Sequence, residues 1–192
     1  MPDALSDWLL AVDLDGTLLR RDGTIATEDR EALAEATLRG AAILLVTGRF
    51  PRAAQRIASR LALPVSRACL DGALVFDADQ VCVGQQTVSR ALIEQVRALS
   101  LHHGAHCFAV SEDHVSHREQ DAGHLAYLHG WFEDHPVHVS TSCLGGPCLM
   151  LLVLAEHELV TRIQAEAVRD DQSVHDSFDS GTVRSGSHAL AT

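Results

Sequence analysis

Hydrophobic positions along the chain fall into short runs separated by turn-forming residues, and the runs change character about half-way. The stretches 8–13 and 42–47 are apolar until each ends in polar residues, the pattern of strands buried in a parallel sheet covered on both faces. Between them, 27–40 predicts a helix that starts at Thr27 as N-cap, carries Glu28 and Asp29 in its first turn and stops at Gly40. A second helix begins near Pro51, places Ala54, Ile57, Ala58 and Leu61 at i, i+3, i+4 and i+7, and ends before Pro64. A third strand near 67–70 and a hairpin (74–76 and 81–83, around 77–80) follow. Strand, helix, strand, helix, strand predicts an α/β fold with a Rossmann-like parallel-sheet core.

From about Thr87 the rhythm changes. A helix over 89–100 has apolar Leu92, Ile93, Val96 and Leu99, and strand-like stretches follow at 106–110 and 114–117. Then come a helical 121–132, a strand over 148–154, a helix over 156–169 and a strand-like end near 174–184. This second block reads as α+β. The chain of 192 residues is long enough for one good core, or a core with a small insert.

Composition narrows the function classes. A hydrophobic share of 46% argues against disorder, while no apolar run approaches a membrane-spanning length. The first seven residues carry no basic segment, so no signal peptide is expected, and a membrane is not an expected partner. Five cysteines, odd in number and without a C-x-x-C, suit reduced thiols in a cytoplasm. A formal charge of −11 opposes binding to a nucleic-acid backbone. All fifteen basic residues are arginines, which bears on the chemistry below.

The first apolar run leads into Asp13-Leu14-Asp15-Gly16-Thr17-Leu18-Leu19. Ligands bind at the carboxyl ends of strands in open α/β sheets, which is where this segment falls. Two carboxylates at i, i+2 there suit a site in which one attacks phosphorus and the other, swung over it by the turn, moves a proton. Gly16 permits the tight turn, and backbone N–H groups at that turn are placed to reach a phosphate oxygen. The second run ends in Thr47-Gly48-Arg49, and the third in Cys69-Leu70-Asp71-Gly72-Ala73.

These three pieces, in this order, resemble the haloacid dehalogenase superfamily of aspartate-nucleophile phosphatases, and in particular its Cof-like, sugar-phosphatase-like branch. Asp-x-Asp-Gly-Thr-Leu is the superfamily's first motif, Thr-Gly-Arg is the form that the branch gives the second, and Asn-Gly-Ala ends its third strand. Asp71 departs from that asparagine and reads first as a turn residue. The resemblance implies a phosphatase acting on small phosphorylated metabolites such as sugar phosphates. Asp13 would form an aspartyl-phosphate and Asp15 would serve as acid and then base. Gly16, Thr47, Gly48 and Arg49 would contact the substrate, and Mg²⁺ would bind through Asp13 and the main chain of Asp15. It also implies an inserted α+β cap, giving 1–86 as the N-terminal half of the core, 87–178 as the cap and 179–192 as the start of the return.

Two elements of the family pattern do not appear. The returning core supplies a phosphate-neutralising lysine and a Gly-Asp stretch with trailing acids that completes the metal site. Here 180–190 resembles the beginning of that return, Arg184 is the only basic residue near it, and no Gly-Asp stretch follows. Arginine keeps the charge but not the reach or geometry of lysine. Attack of a carboxylate on a phosphate dianion is a like-charge encounter, so the missing cationic groups matter. The chain therefore reads as a family member truncated after the cap, and the first strand would then present an unpaired edge suited to self-association.

Three functions from different classes are carried forward. The first is the magnesium-dependent phosphatase. The second is a non-catalytic or truncated relative, and the third is a phosphoacceptor signalling module, against which Gly16-Thr17-Leu18 and the cap-like insert speak. Nine of the twelve histidines lie between His102 and His138. Pairs such as His102/His106 and His114/His117 could begin a zinc site, but their spacing fits no H-E-x-x-H pattern, and solvated cap surface is the expected reading. Protonation near pH 6.5 would make their region sensitive to mild acid.

Overall fold

The computed structural model describes residues 5–112, 114–124, 137–139 and 147–170. Two sheets carry the fold. The first has five strands in spatial order: β1 (Leu9–Asp13), β2 (Ala42–Val46), β3 (Val65–Cys69), β4 (Leu74–Phe76) and β5 (Cys82–Gln85). The first three are parallel, with Asp13 beside Val46 and Val46 beside Ala68, whereas β4 and β5 return antiparallel. Crossover helices α1 (Thr27–Leu38) and α2 (Pro51–Leu61) join the parallel strands, as parallel pairing requires.

Local signals mark the start of α2 but not that of α1. α2 has Pro51 at its first turn and buries Ala54, Ile57, Ala58 and Leu61, the four residues spaced on one face. α1, by contrast, starts at Thr27 itself. Ala26 is its N-cap, with no side-chain hydrogen bond, and Thr27 is already helical. Ala26 is buried, so packing fixes the entry to this helix where a hydroxyl cap was expected. Beneath the parallel strands lies a cluster that includes Leu14, Leu33, Ile43, Leu45, Ile57 and Val65.

The apolar character of β1 does not make it a doubly covered strand. Leu9 is 60% exposed, Trp8 just before it is 63% exposed, and Ala11 is exposed too. Among the described residues β1 pairs with β2 alone and forms the edge of the sheet. Among the described residues its outer row of N–H and C=O groups meets no further strand.

The second sheet runs β8 (Val137–Val139), β7 (Val115–His117), β6 (His106–Val110), β9 (Met150–Leu154). It is flanked by α3 (Arg90–His102) and α4 (His157–Asp170), which pack against β6 through Leu92, Val96, Cys107 and Ala167. Ser89 caps α3 by accepting from the Leu92 N–H at 3.2 Å. The helical stretch expected over 121–132 is, in its described part, a 3₁₀ segment at Glu119–His124. The strand-like end near 174–184 lies outside the described residues, as do Cys143 and Arg184.

One hydrophobic cluster belongs to both sheets. Phe50, Leu70, Leu74 and Phe76 from the first meet Phe108, Val110, Val115 and Leu149 from the second, and Phe108 is fully buried. No helix of the described residues is long and apolar enough to cross a membrane.

Candidate active site

Asp13 is the last residue of β1, and the chain turns immediately after it. Gly16 has φ +81°, a conformation open to glycine at no steric cost, and the Leu18 and Leu19 N–H groups close back on the Asp13 and Leu14 carbonyls at 3.2 and 2.7 Å. Leu14, Leu18 and Leu19 are buried and anchor the turn from below. The hydroxyl of Thr17 donates to Asp13 Oδ2 at 3.0 Å. Sequence reasoning passed over this contact, although a hydroxyl four residues on was visible as a signal. The expectation that the N–H groups of this turn face a phosphate needs correction for two of them. Gly16 N–H donates to the Leu19 carbonyl at 3.3 Å and Thr17 N–H to that of Leu14 at 3.4 Å, because the turn is tight enough to satisfy itself.

The second motif arrives through strand register. Since Asp13 lies beside Val46, the next residue, Thr47, emerges at the same end of the sheet. Thr47 is buried, and its hydroxyl oxygen accepts from the Arg49 N–H at 3.1 Å, which leaves the hydroxyl proton to be donated elsewhere. Arg49 then reaches across to Asp15 with both prongs of its fork. Nε donates to Oδ2 at 2.8 Å and Nη2 to Oδ1 at 2.7 Å. Side-chain exposures of 37% and 45% leave this pair open to solvent and accessible to a competing ligand.

The third motif locks onto the second. Leu70 and Asp71 have φ +51° and +54°, a left-handed pair that costs a non-glycine residue on the order of 1–3 kcal/mol each. Burial of Leu70 and hydrogen bonds from the Leu70 N–H to the Arg49 carbonyl (3.1 Å) and the Asp71 N–H to the Thr47 carbonyl (3.2 Å) hold it in place. The turn brings the Asp71 carboxylate against Gly48, where an added Cβ would stand 3.0 Å from Oδ1. Gly48 is therefore needed for close approach, and Asp71, an exposed turn residue, also forms part of the site's wall.

Burial pushes the Cys69 thiol up to about 11 and the Cys107 thiol up to about 12, so neither supplies thiolate near neutral pH. For a metal, the Asp13 carboxylate and the Asp15 main-chain carbonyl would offer oxygen donors only, without histidine or cysteine. That chemistry suits a hard cation such as Mg²⁺, which typically takes one or two carboxylates and keeps several waters. Among the described residues no three His, Cys, Asp or Glu side chains gather around a metal position, so the histidine pairs acquire no third ligand. His117 also departs from the solvated-surface expectation. It is 1% exposed, packs against Phe108 and places Nδ1 2.8 Å from the Arg118 carbonyl, because both faces of β7 are buried.

A family model described as haloacid dehalogenase-like hydrolase matches residues 10–182. The chain is 33% identical over 86 residues to the 5-amino-6-(5-phospho-D-ribitylamino)uracil phosphatase YwtE of Bacillus subtilis, covering 45% of this chain and 28% of that protein. It is 29% identical over 130 residues to the pyridoxal phosphate phosphatase YbhA of Escherichia coli, covering 67% of this chain and 47% of that protein. In structure it resembles a haloacid dehalogenase-like hydrolase from Bacteroides thetaiotaomicron, with TM-score 0.68, 13% identity, and coverage of 86% of this chain and 65% of that one. The chain thus spans less than half the length of these two curated relatives.

Proposed function

We propose that this chain, which belongs to the haloacid dehalogenase-like hydrolases, carries the nucleophile half of a phosphatase site for small phosphorylated metabolites, of the Cof-like kind. The observation that carries the reading is the meeting, across 34 residues of sequence, of the Arg49 fork with Asp15 beside the half-buried Asp13. Sugar phosphates are the proposed substrates, and the two curated relatives, named for phosphatase activity on a phosphoribityl compound and on pyridoxal phosphate, support that class. Residues 1–86 are proposed as core, 87–178 as cap and 179–192 as the return, with Arg184 as a further phosphate contact.

Asp13 Oδ attacks phosphorus, the P–O bond to the alcohol breaks, and Asp15 gives the leaving oxygen its proton. Water, losing a proton to Asp15, then attacks the aspartyl-phosphate, which releases phosphate and restores Asp13. With both oxygens accepting from Arg49, Asp15 has the arrangement of a carboxylate, the form required of the base. Its acid role requires the Arg49 fork to move to the phosphoryl group, which it fits equally well. Thr47 donates its hydroxyl proton to a phosphoryl oxygen, and Gly16 and Gly48 leave room for that group. Mg²⁺, held by the Asp13 carboxylate and the Asp15 carbonyl, would offset the charge of nucleophile and phosphate.

Magnesium-dependent release of phosphate from an aryl phosphate by the purified chain, beside an inactive Asp13→Asn, tests the reading; no turnover from folded protein would overturn it. A second expectation concerns Arg49. Arg49→Met removes two charge-assisted hydrogen bonds available to a phosphate, and calorimetry with inorganic phosphate should show about tenfold weaker binding. Unchanged affinity would exclude Arg49 from the phosphate site.

A cytoplasmic location and self-association through the β1 edge are also proposed. Sedimentation should show mass rising with concentration for the parent chain and much less for Leu9→Lys, since an edge lysine opposes strand addition. A strictly monomeric parent would refute the edge contact.

A further inference from the structure

Arg67, on β3, is a buried cation without a buried anion. Its side chain is 3% exposed. Nη1 donates to the Pro51 carbonyl at 3.1 Å, Nη2 donates to Gln80 Oε1, and the guanidinium stacks 4.7 Å above the centre of the Phe76 ring. Nε is buried with no partner, and among the described residues no carboxylate pairs with this side chain. Buried charges are ordinarily paired, because desolvation without a counter-ion is costly. Burial accordingly pulls the Arg67 pKa below the usual arginine value.

The surroundings add charge of the same sign. Arg67 lines a cleft of about 460 Å³ together with Arg52, Gln55, Arg56, Gln80 and Glu112. Arg52 and Arg56 stand i, i+4 on α2, where like charges repel, and the first turn of that helix holds no acidic residue to offset its dipole. Among the described residues, three arginines and one acid, Glu112, line this cleft, on a chain whose formal charge is −11. Gln55 adds a second unsatisfied group there, its buried Oε1 having no partner. Neither Asp13 nor Asp15 lines the cleft.

We propose that the Arg52–Arg56–Arg67 cleft is an oxyanion-binding site, distinct from the Asp13–Asp15 pair, for a phosphate group of a small metabolite. Arg52 and Arg56 meet the anion at the mouth, Arg67 supplies fixed positive potential from behind, and Gln55 lines the cleft beside them. Pro51, whose carbonyl holds Arg67, lies two residues beyond Arg49. A ligand carrying two phosphates is the probe that shows whether this cleft and the Asp13 side act together.

The test is a titration of the full 192-residue chain followed by backbone amide shifts, with inorganic phosphate as the probe. Saturable shifts are expected at Arg52, Gln55, Arg67 and Gln80. In R52Q/R56Q, which alters only exposed side chains and should leave the fold intact, the midpoint at Gln55, Arg67 and Gln80 should rise at least tenfold. Arg67→Met should do the same where it folds, and the double variant decides the matter where it does not. Absence of saturable shifts at these amides, or an unchanged midpoint in R52Q/R56Q, would overturn the proposal. The source of the anion is read in a second arm. A hexose bisphosphate that shifts the cleft and residues 13–17 with one midpoint, where the monophosphate does not, assigns the second phosphate of a substrate. Unrelated midpoints assign a separate small ligand. Because the cleft amides are read directly, failure here is distinguishable from failure of the phosphatase reading, which would appear at Asp13.

Discussion

Asp13→Asn should lower magnesium-dependent phosphate release by a factor on the order of 10³ or more, the scale expected when a nucleophile is removed rather than a binding contact. The substitution changes one oxygen to an amide nitrogen, so the side chain keeps its size and retains an oxygen able to accept from the Thr17 hydroxyl, now 3.0 Å from Oδ2. The neutral amide has almost no nucleophilic power toward phosphorus. Thermal stability should therefore change by no more than about 0.5 kcal/mol while the rate collapses, and that combination separates a chemical role from a structural one. Trapping supplies an independent readout. A phosphoenzyme labile to hydroxylamine should form in the parent chain and be absent from the variant. Turnover surviving in Asp13→Asn would remove the aspartyl-phosphate from the scheme.

The second large effect lies away from this site. Asp121 is fully buried beneath the second sheet, where its Oδ2 accepts from Arg118 Nε at 2.7 Å and its Oδ1 from Arg118 Nη2 at 3.0 Å. His106 Nδ1 stands 2.9 Å from Oδ1, and Arg118 also donates to the Ala105 carbonyl. This network ties the 3₁₀ segment and the end of β7 to the start of β6. Burial by itself raises the Asp121 pKa, but the hydrogen bonds from Arg118 and His106 together outweigh it, and the net shift is downward. A carboxylate whose folded pKa lies below its unfolded value contributes stability above the unfolded value, near 3.9, and loses it as pH falls through the depressed folded value. The stability that Asp121 contributes is accordingly lost only in acid below about pH 4. Asp121→Asn leaves Arg118 as a nearly buried, unpaired cation and should cost about 3 kcal/mol at neutral pH. For a chain of this size that corresponds to a melting temperature lower by about 6–12 °C. The variant should also lose the part of the parent's acid sensitivity that this carboxyl contributes. Calorimetric melts from pH 3 to pH 8 read both, and a neutral-pH melting point within about 1 °C of the parent would show that the network carries little stability.

How much of this was legible beforehand depends on whether the signal was local. The strand–helix alternation through α2 could be read because each element carries its own period and punctuation, as Pro51 and the four buried positions of α2 illustrate. The end of β1 and the turn at Gly16 were likewise visible, since Asp-Gly-Thr is local turn chemistry. Thr27 misled because a cap is decided by whether the preceding residue is drawn into the core, and Ala26 is. His117 misled in the same way. Nothing in the sequence around His117 distinguishes a surface strand from one buried on both faces.

The α/β architecture, and the residue types that stand at the carboxyl ends of the first three strands, follow from the amino-acid order, because local periodicity and turn chemistry require no partner. Which of those residues meet was decided by the tertiary structure alone. Parallel register sets Asp13 beside Val46, and the left-handed pair Leu70–Asp71, held by packing and two backbone hydrogen bonds, presses a carboxylate against Gly48. The Arg49 fork on Asp15, the exposed face of β1 and the unpaired charge of Arg67 depend on distances between segments far apart in the chain, and such distances follow only from the packed fold.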